Sequence, residues 1–361
     1  MNEANVDLMG ISGGSGEVAN FLAKSKLDPG QMRPWINTNG QACVTNFLGG
    51  DAKKPENYKT TFVANASLRH NEWVALDAAI LPISRTRLIG VQDLIDNGLV
   101  YNLGNAMGTT VLEYHDISDG LEAIMTMDGI TRSPGDRPNY THHYLPIPII
   151  HVDYEIGARE LAISRNMGNP IDTTDAESAA RRVAEKLEKL LFTDTSYSFG
   201  GGTIQSYVNA SDRNQVVLDS EWTNSGTTGA QIVTDVMILK QTSIAAKHYG
   251  PWMMYIPSTY EILLDADYSS AKGNSTVRER ILQIAGIKGI KVVDTLAANT
   301  VLLVQMTSDV VRLVRGMGIQ NIQWGEEGNF VTKFKVLTIQ VPQIRADQEG
   351  NSGIVHATFT T

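Results

Sequence analysis

The segment IDTTDAESAARRVAEKLEKLLFTD, residues 171–194, constrains the fold of this chain more than any other stretch. Thr174 and Glu177 have the spacing of a capping box, in which a hydroxyl and a carboxylate satisfy free N–H groups at a helix start. Ala176, Ala179, Ala180, Val183, Ala184, Leu187, Leu190 and Leu191 then recur as one apolar stripe at helical spacing. On the other face, Glu177 precedes Arg181 and Glu185 precedes Lys189, the favourable order for ion pairs one turn apart. The stripe is narrow where the alanines lie, so a neighbouring element packs close there. No His or Cys interrupts the segment, which assigns it to packing rather than chemistry.

Composition limits what surrounds that helix. A chain of 361 residues has room for two domains, or for one with large excursions. Hydrophobic content of 42% with 19% charged residues describes a folded chain with a core. The net charge of −9 argues against a dedicated nucleic-acid binder, which presents a basic field. The single cysteine, Cys43, allows neither an internal disulfide framework nor a thiolate cluster for zinc, and is read as a small apolar residue. No run approaches the roughly 20 apolar residues of a membrane span, and the N-terminus lacks signal-peptide order, so synthesis in the cytoplasm is expected.

The texture changes along the chain. Residues 1–66 are rich in Gly and Asn, with six Lys or Arg against six Asp or Glu, and are read as an extended arm. NEWVALDAAILPISRTRLIGVQDLIDNGL (71–99) predicts a short helix interrupted at Pro82 and a second closing at Gly98. From Met107 to Ile156 the period falls to two. LEAIMTMD (121–128) and YTHHYLPIPIIHVDYEI (140–156) are strand-like around the turn-rich GITRSPGDRPN, which predicts a long hairpin that needs a surface to lie on.

The second half predicts a mixed α/β unit. Residues 227–250 are a helix with Gly250 as its stop, 252–268 a buried strand leading into a turn and a short helix, and 277–296 a helix, a Gly break and a strand. Two strands flank the turn at Ser308 and Asp309, and FVTKFKVLTIQVPQIRADQEGNSGIVHATF (330–359) predicts two more around a Gly/Asn/Asp turn.

Candidate chemistry weakens motif by motif. GISGGSGEVANFLAKSK (10–26) has a phosphate-loop flavour, but no strand precedes it and no Lys-Ser/Thr pair follows at Walker spacing. A nucleotide-dependent enzyme is therefore the most distant reading. His142, His143 and His151 suggest a metal, yet eight residues of strand between the last two span roughly 27 Å. They are read as surface histidines. RADQEGNSG (345–353) lacks the paired ligands and terminal Glu of a calcium loop and is read as a turn.

The order of elements resembles the major capsid proteins of tailed phages, with the Hong Kong 97 fold, from about Asn71 to Phe359. LPIPIIHVDYEIGARELAISRNMGNPIDTTDAESAARRVAEKLEKLLFTD (145–194) is similar to that family's returning loop strand, short helix and long spine helix. PWMMYIPSTYEILLDADY and IAGIKGIKVVDTLAANTVLLVQMTSDVVRLVRG resemble its axial domain, and VPQIRADQEGNSGIVHATF its final hairpin. Encapsulin nanocompartment shells share the fold and are the alternative.

The resemblance implies an α+β chain divided into an arm (1–66), the start of a peripheral domain (67–103), an extended loop (104–150), a peripheral domain with the spine helix (151–224), an axial domain (225–310) and closing peripheral strands (311–361). Val183, Leu187, Leu190 and Leu191 would form the spine-helix core. It implies no catalytic residue, cofactor or metal. Its implied partners are many copies of the same chain as hexamers and pentamers, with a separate scaffold, portal and decoration proteins as candidates. Double-stranded DNA would be contacted non-specifically inside a virion assembled in the host cytoplasm, away from membranes. Some members of the family are welded by an isopeptide bond from a loop Lys. Residues 104–150 contain no Lys; their cations Arg132 and Arg137 suit non-covalent pairing with a neighbour's carboxylates.

Overall fold

The computed structural model describes residues 33–47, 54–62, 68–104, 106–117, 125, 127, 140–167, 171–193, 196–268, 275–327, 330–347 and 349–360. In chain order it begins with strands β1 (Trp35–Ile36), β2 (Ala42–Phe47), β3 (Tyr58–Phe62) and β4 (Leu68–Arg69), then helices α1 (His70–Arg87) and α2 (Ile89–Asp96). Strands β5 (Val100–Asn102), β6 (Val111–Ile117), β7 (Tyr140–Pro146) and β8 (Ile150–Gly157) follow, then helices α3 (Ala158–Met167) and α4 (Thr174–Phe192). Next come β9 (Tyr197–Phe199), β10 (Gly202–Ile204), β11 (Asn214–Leu218), α5 (Gly229–Ala245), β12 (Trp252–Ile256), α6 (Glu261–Asp265) and α7 (Val277–Leu282). Strands β13 (Ile287–Val292), β14 (Thr300–Gln305), β15 (Val311–Glu327), β16 (Val331–Ile344) and β17 (Ile354–Phe359) close the chain.

Two compact units share these elements. The first takes the described residues up to Thr110, then Ile147–Lys189 and Leu313–Val341; the second takes Val111–Pro146, Leu190–Arg312 and Pro342–Thr361.

In the first unit a four-stranded sheet has the order β5-β15-β16-β8. β8 alternates as a half-buried strand must, with His151, Asp153 and Glu155 exposed and Ile156 buried. Lys335 lies opposite Asp153 in register and reaches it at 3.2 Å. Ala176, Ala179, Ala180 and Val183 of α4 share one core with Phe334 and Val336 of the sheet and with Trp73, Leu76 and Ile80 of α1. The small alanine side chains leave room in that core for its aromatic rings. Phe334 in turn meets Trp73 edge-on at 5.8 Å and stacks on Tyr154 at 5.3 Å.

The N-terminus of α4 differs from the expected capping box. The helix begins at Thr174, whose N–H and hydroxyl both donate to Asp172, while Glu177 accepts from the Thr173 hydroxyl at 2.8 Å. The first intrahelical bond runs from the Glu177 N–H to the Thr173 carbonyl, so the cap lies one residue before the expected Thr174, and Asp172 takes the Thr174 N–H. Pro82 does not interrupt α1; the break falls at Leu88. Pro82 and Ala78, one turn earlier, are both exposed, so the carbonyl that loses its donor lies on the wet face. α2 does close at Gly98, with φ of +71° and the Leu99 N–H on the Leu94 carbonyl.

The stretch read as an arm is, in its described part, pleated rather than merely extended. β1 to β4 form a sheet of order β3-β2-β1-β4, and Cys43 and Val44 are buried. Arg33 anchors it, pairing with Asp77 at 2.6 Å and lying 4.5 Å over the Trp73 ring.

The second unit is built on a five-stranded sheet of order β11-β17-β14-β12-β13. Every residue of β12 and β14 is buried, as their continuous apolar runs demand of strands in a sheet interior. α5 opens with a Thr228–Gln231 capping box and packs Ile232, Val236 and Leu239 into the core with Trp222, Trp252 and Tyr260. It ends at Ala245, with Lys247 at φ +62°, so the stop precedes the expected Gly250. Another reading is corrected here: the last two strands make no hairpin, since β16 belongs to the first sheet and β17 lies between β11 and β14.

One group in the first unit titrates through its fold. Glu188 of α4 is buried, and its Oε1 accepts the Gly90 N–H at 2.8 Å, capping α2 from a distance of 98 residues in sequence. Oε2 has no hydrogen-bond partner. Burial pushes this carboxyl up to about 7, with Asp93 adding to the rise and the N–H groups of Gly90 and Val91 opposing it. A raised carboxyl stabilises the folded state fully below its unfolded value, and that contribution is lost as pH rises through 7. Urea denaturation between pH 5 and pH 8 should therefore show stability falling, with a Glu188 share of roughly 2–3 kcal/mol. In Glu188→Gln that share of the slope should vanish; an unchanged slope would contradict the assignment.

Candidate functional site

The hairpin of β6 and β7 is a two-stranded sheet of the second unit with little buried surface of its own. The expected partner strand at 121–128 is replaced by β6: Val111 lies opposite Pro146 and Ile117 opposite Tyr140. Of 121–128, only residues 125 and 127 are described. Nor is 140–156 one strand. Pro146 and Pro148 withhold two donors, and the chain leaves β7 for a different sheet as β8.

The hairpin root is seated on the β9–β10 turn. A Cβ built on Gly202 would lie 2.0 Å from the Tyr144 carbonyl oxygen, and one on Gly200 2.6 Å from Val111 Cγ2. Only glycine admits so close a backbone approach. Beside this contact lies a cleft of about 220 Å³, lined among others by Tyr114, Asp116, His143, Asp212, Arg345 and Ser352.

The cleft is polar and mixed in sign. Asp116 Oδ2 meets His143 Nε2 at 2.9 Å, and its Oδ1 is 3.9 Å from Arg345. Tyr114 stacks on His143 with centroids 5.2 Å apart. Burial raises the Tyr114 hydroxyl, Asp116 adds to the rise, and Arg345, Gln343 and Arg312 oppose it. This set can hold a polar group by hydrogen bonds and charge. Among the described residues no group of three or more His, Cys, Asp or Glu is placed to hold a metal.

The residues singled out from sequence separate into different places. Val183 and Leu187 are 0% exposed in the first unit's part of α4; Leu190 and Leu191, at 4% and 0%, fall in the second unit's part. Arg132 and Arg137 lie outside the described residues, as does 10–26. His143 and His151 are not on one strand; His151 instead faces Asp153 at 3.5 Å. Cys43 is buried, its Sγ 3.6 Å from the Gln41 carbonyl. The 345–353 stretch turns on Asp347, whose carboxylate accepts both the backbone and side-chain N–H of Asn351 at 2.7 Å. Tyr114, Asp116 and Arg345 were missed; placing the outgoing strand at 111–117 would have paired Tyr114 with His143. No helix of the described residues is long and apolar enough to cross a membrane.

Residues 65–357 match the model of DUF6260, a family of unknown function. The chain belongs to that family. It is also 25% identical over 203 residues to the type 1 encapsulin shell protein EncA of Myxococcus xanthus, a match covering 55% of this chain and 65% of that protein, so it spans less than two thirds of this relative. Among solved structures, a virus-like particle from Pyrococcus furiosus superposes with a TM-score of 0.56 at 20% identity, over 79% of this chain and 98% of the other. The capsid of Myoviridae phage XM1 also gives 0.56, at 11% identity, over 74% and 91%. The capsid of a native GTA particle gives 0.52 at 10%, over 84% and 95%. The likeness fixes the fold of this DUF6260 member as the mixed α+β Hong Kong 97 fold.

The close approach at Gly202 generates a local test. Gly202→Ala must push the Tyr144 carbonyl away and should cost about 1–3 kcal/mol of local overpacking. Amide exchange should speed up in β7 and β10 while β12 and β14 stay protected. Unchanged exchange in β7 would show that the hairpin root is not held there.

Proposed function

We propose that this chain is a major capsid protein whose copies assemble, as hexamers and pentamers, into the icosahedral shell around the double-stranded DNA of a tailed phage. The observation that carries this is the likeness in fold to the virus-like particle and capsid chains, over at least 74% of this chain. In this reading α4 is the spine of a peripheral domain, the second unit holds the axial domain, and the β6–β7 hairpin is the root of an extended loop that lies across a neighbour. Residues 1–66 serve as an arm over adjacent subunits, and Arg132 and Arg137 pair with a neighbour's carboxylates. A shell needs one chain to make several heterologous contacts, and surface rather than catalysis is its working part. The charge of −9 suits a wall that encloses DNA without gripping it. A separate scaffold, a portal and decoration proteins are the candidate partners, with assembly in the host cytoplasm and the virion as the final location.

An encapsulin-type compartment is the second reading. It is favoured by identities of 25% to the Myxococcus shell protein and 20% to the Pyrococcus particle, against 11% to the phage XM1 capsid.

Negative-stain imaging of the purified protein should show closed shells. Large shells carrying DNA support the phage reading; small uniform shells around an enzyme cargo support the compartment. A chain that stays monomeric or dimeric under all assembly conditions overturns both.

The lysine-free loop adds a second outcome. Since an Arg guanidinium stays protonated and is no nucleophile, mature particles boiled in SDS should release one band near 39.4 kDa. A ladder of covalent pentamers and hexamers would show that a Lys elsewhere welds the shell.

A further inference from the structure

The β6–β7 hairpin also pairs two histidines, one of which, His142, borders the cleft. His115 and His142 are directly opposite in the antiparallel register, so their imidazoles rise from the same face of the two strands. Both residues are exposed. Their rings meet edge to face, with centroids 4.4 Å apart and planes at 83°. Strand alternation sends Tyr114 and His143 to the other face, where they stack on each other and His143 is occupied by Asp116.

A cation held at about 2.0–2.1 Å by one nitrogen of each ring, at a roughly tetrahedral or square angle, sets two imidazole centroids roughly 5 Å apart. The observed separation is about half an ångström short of that distance, and the ring that now presents its face must also turn to aim a nitrogen at the ion, which the broad χ2 torsion of an exposed histidine permits. The geometry points to a site for a late first-row divalent cation, Zn²⁺, Ni²⁺ or Cu²⁺, chelated across the hairpin by His115 and His142.

Imidazole selects these ions over Mg²⁺ and Ca²⁺, which require oxygen ligands. The same-face carboxylate, Glu113, lies two residues before His115 and opposite Tyr144. It does not complete a three-residue group. The coordination sphere is thus half protein and half open, to water or to a ligand brought to it. Because the two ligands sit on different strands, a bound cation clips β6 to β7 and stabilises the paired state by mass action. The site stands on the hairpin register and does not depend on the shell reading.

The test is calorimetric titration of the full chain with NiSO₄ and separately ZnCl₂, in wild type, His115→Ala, His142→Ala, the double variant, and His151→Ala as a control. Wild type should bind one ion per chain. Each single variant should lose roughly tenfold or more in affinity, and the double variant all of it. His151→Ala should bind as wild type, and excess MgCl₂ should not compete. Matching circular dichroism spectra exclude misfolding as the cause. Absence of saturable binding below roughly 1 mM metal, full affinity in the double variant, or displacement by MgCl₂ would each overturn the site.

Discussion

Contact between the alanines of α4 and the sheet residues Phe334 and Val336 is the packing on which the first unit depends. The alanines are almost fully buried there, and interiors filled to crystal-like density tolerate little overpacking, so larger side chains at these positions would have to displace the sheet residues. Trp73 and Tyr154 are then positioned from either side of Phe334. The buried Tyr154 hydroxyl accepts from Asn321 at 2.6 Å, so the polar atom carried into this core is satisfied. Glu72 adds an electrostatic brace. Burial raises its carboxyl, but the Arg165 guanidinium, at 2.7 and 2.8 Å, and the Arg69 N–H bring it to a net value below the ordinary range.

Sequence patterning was informative wherever a single face or a single run decided the outcome. The stripe of α4, the buried runs of β12 and β14, and the stop at Gly98 depend on local periodicity and on one backbone conformation, and both are written in adjacent residues. The mistakes share a different origin. Pro82 reads as a breaker from sequence, whereas its tolerance depends on which helix face meets water, a tertiary fact. The cap of α4 differs by one residue from the sequence reading because Asp172, Thr173 and Thr174 are all competent acceptors and only geometry chooses among them.

The hairpin shows the same limit at longer range. Tyr140 to Ile156 reads as one strand-like stretch, yet Pro146 and Pro148 divide it between two sheets, one paired with β6 and the other with β16. Register across residues far apart in sequence is set by what each strand finds to cover it. The cleft was therefore illegible: Asp116, His143 and Arg345 come from three distant segments, and no spacing links them. The fold family, by contrast, was legible from the order of elements, since topology survives the local errors.

The division of the chain has a mechanical consequence. The polypeptide passes from one unit to the other after Thr110, Pro146, Lys189, Arg312 and Val341, so five covalent strands join them. Ordinary multidomain chains have one linker, where a single cut releases a free domain. Here a nick at any one crossing leaves four backbones intact. Neither unit is a contiguous piece of the chain, so no single cut separates one from the other.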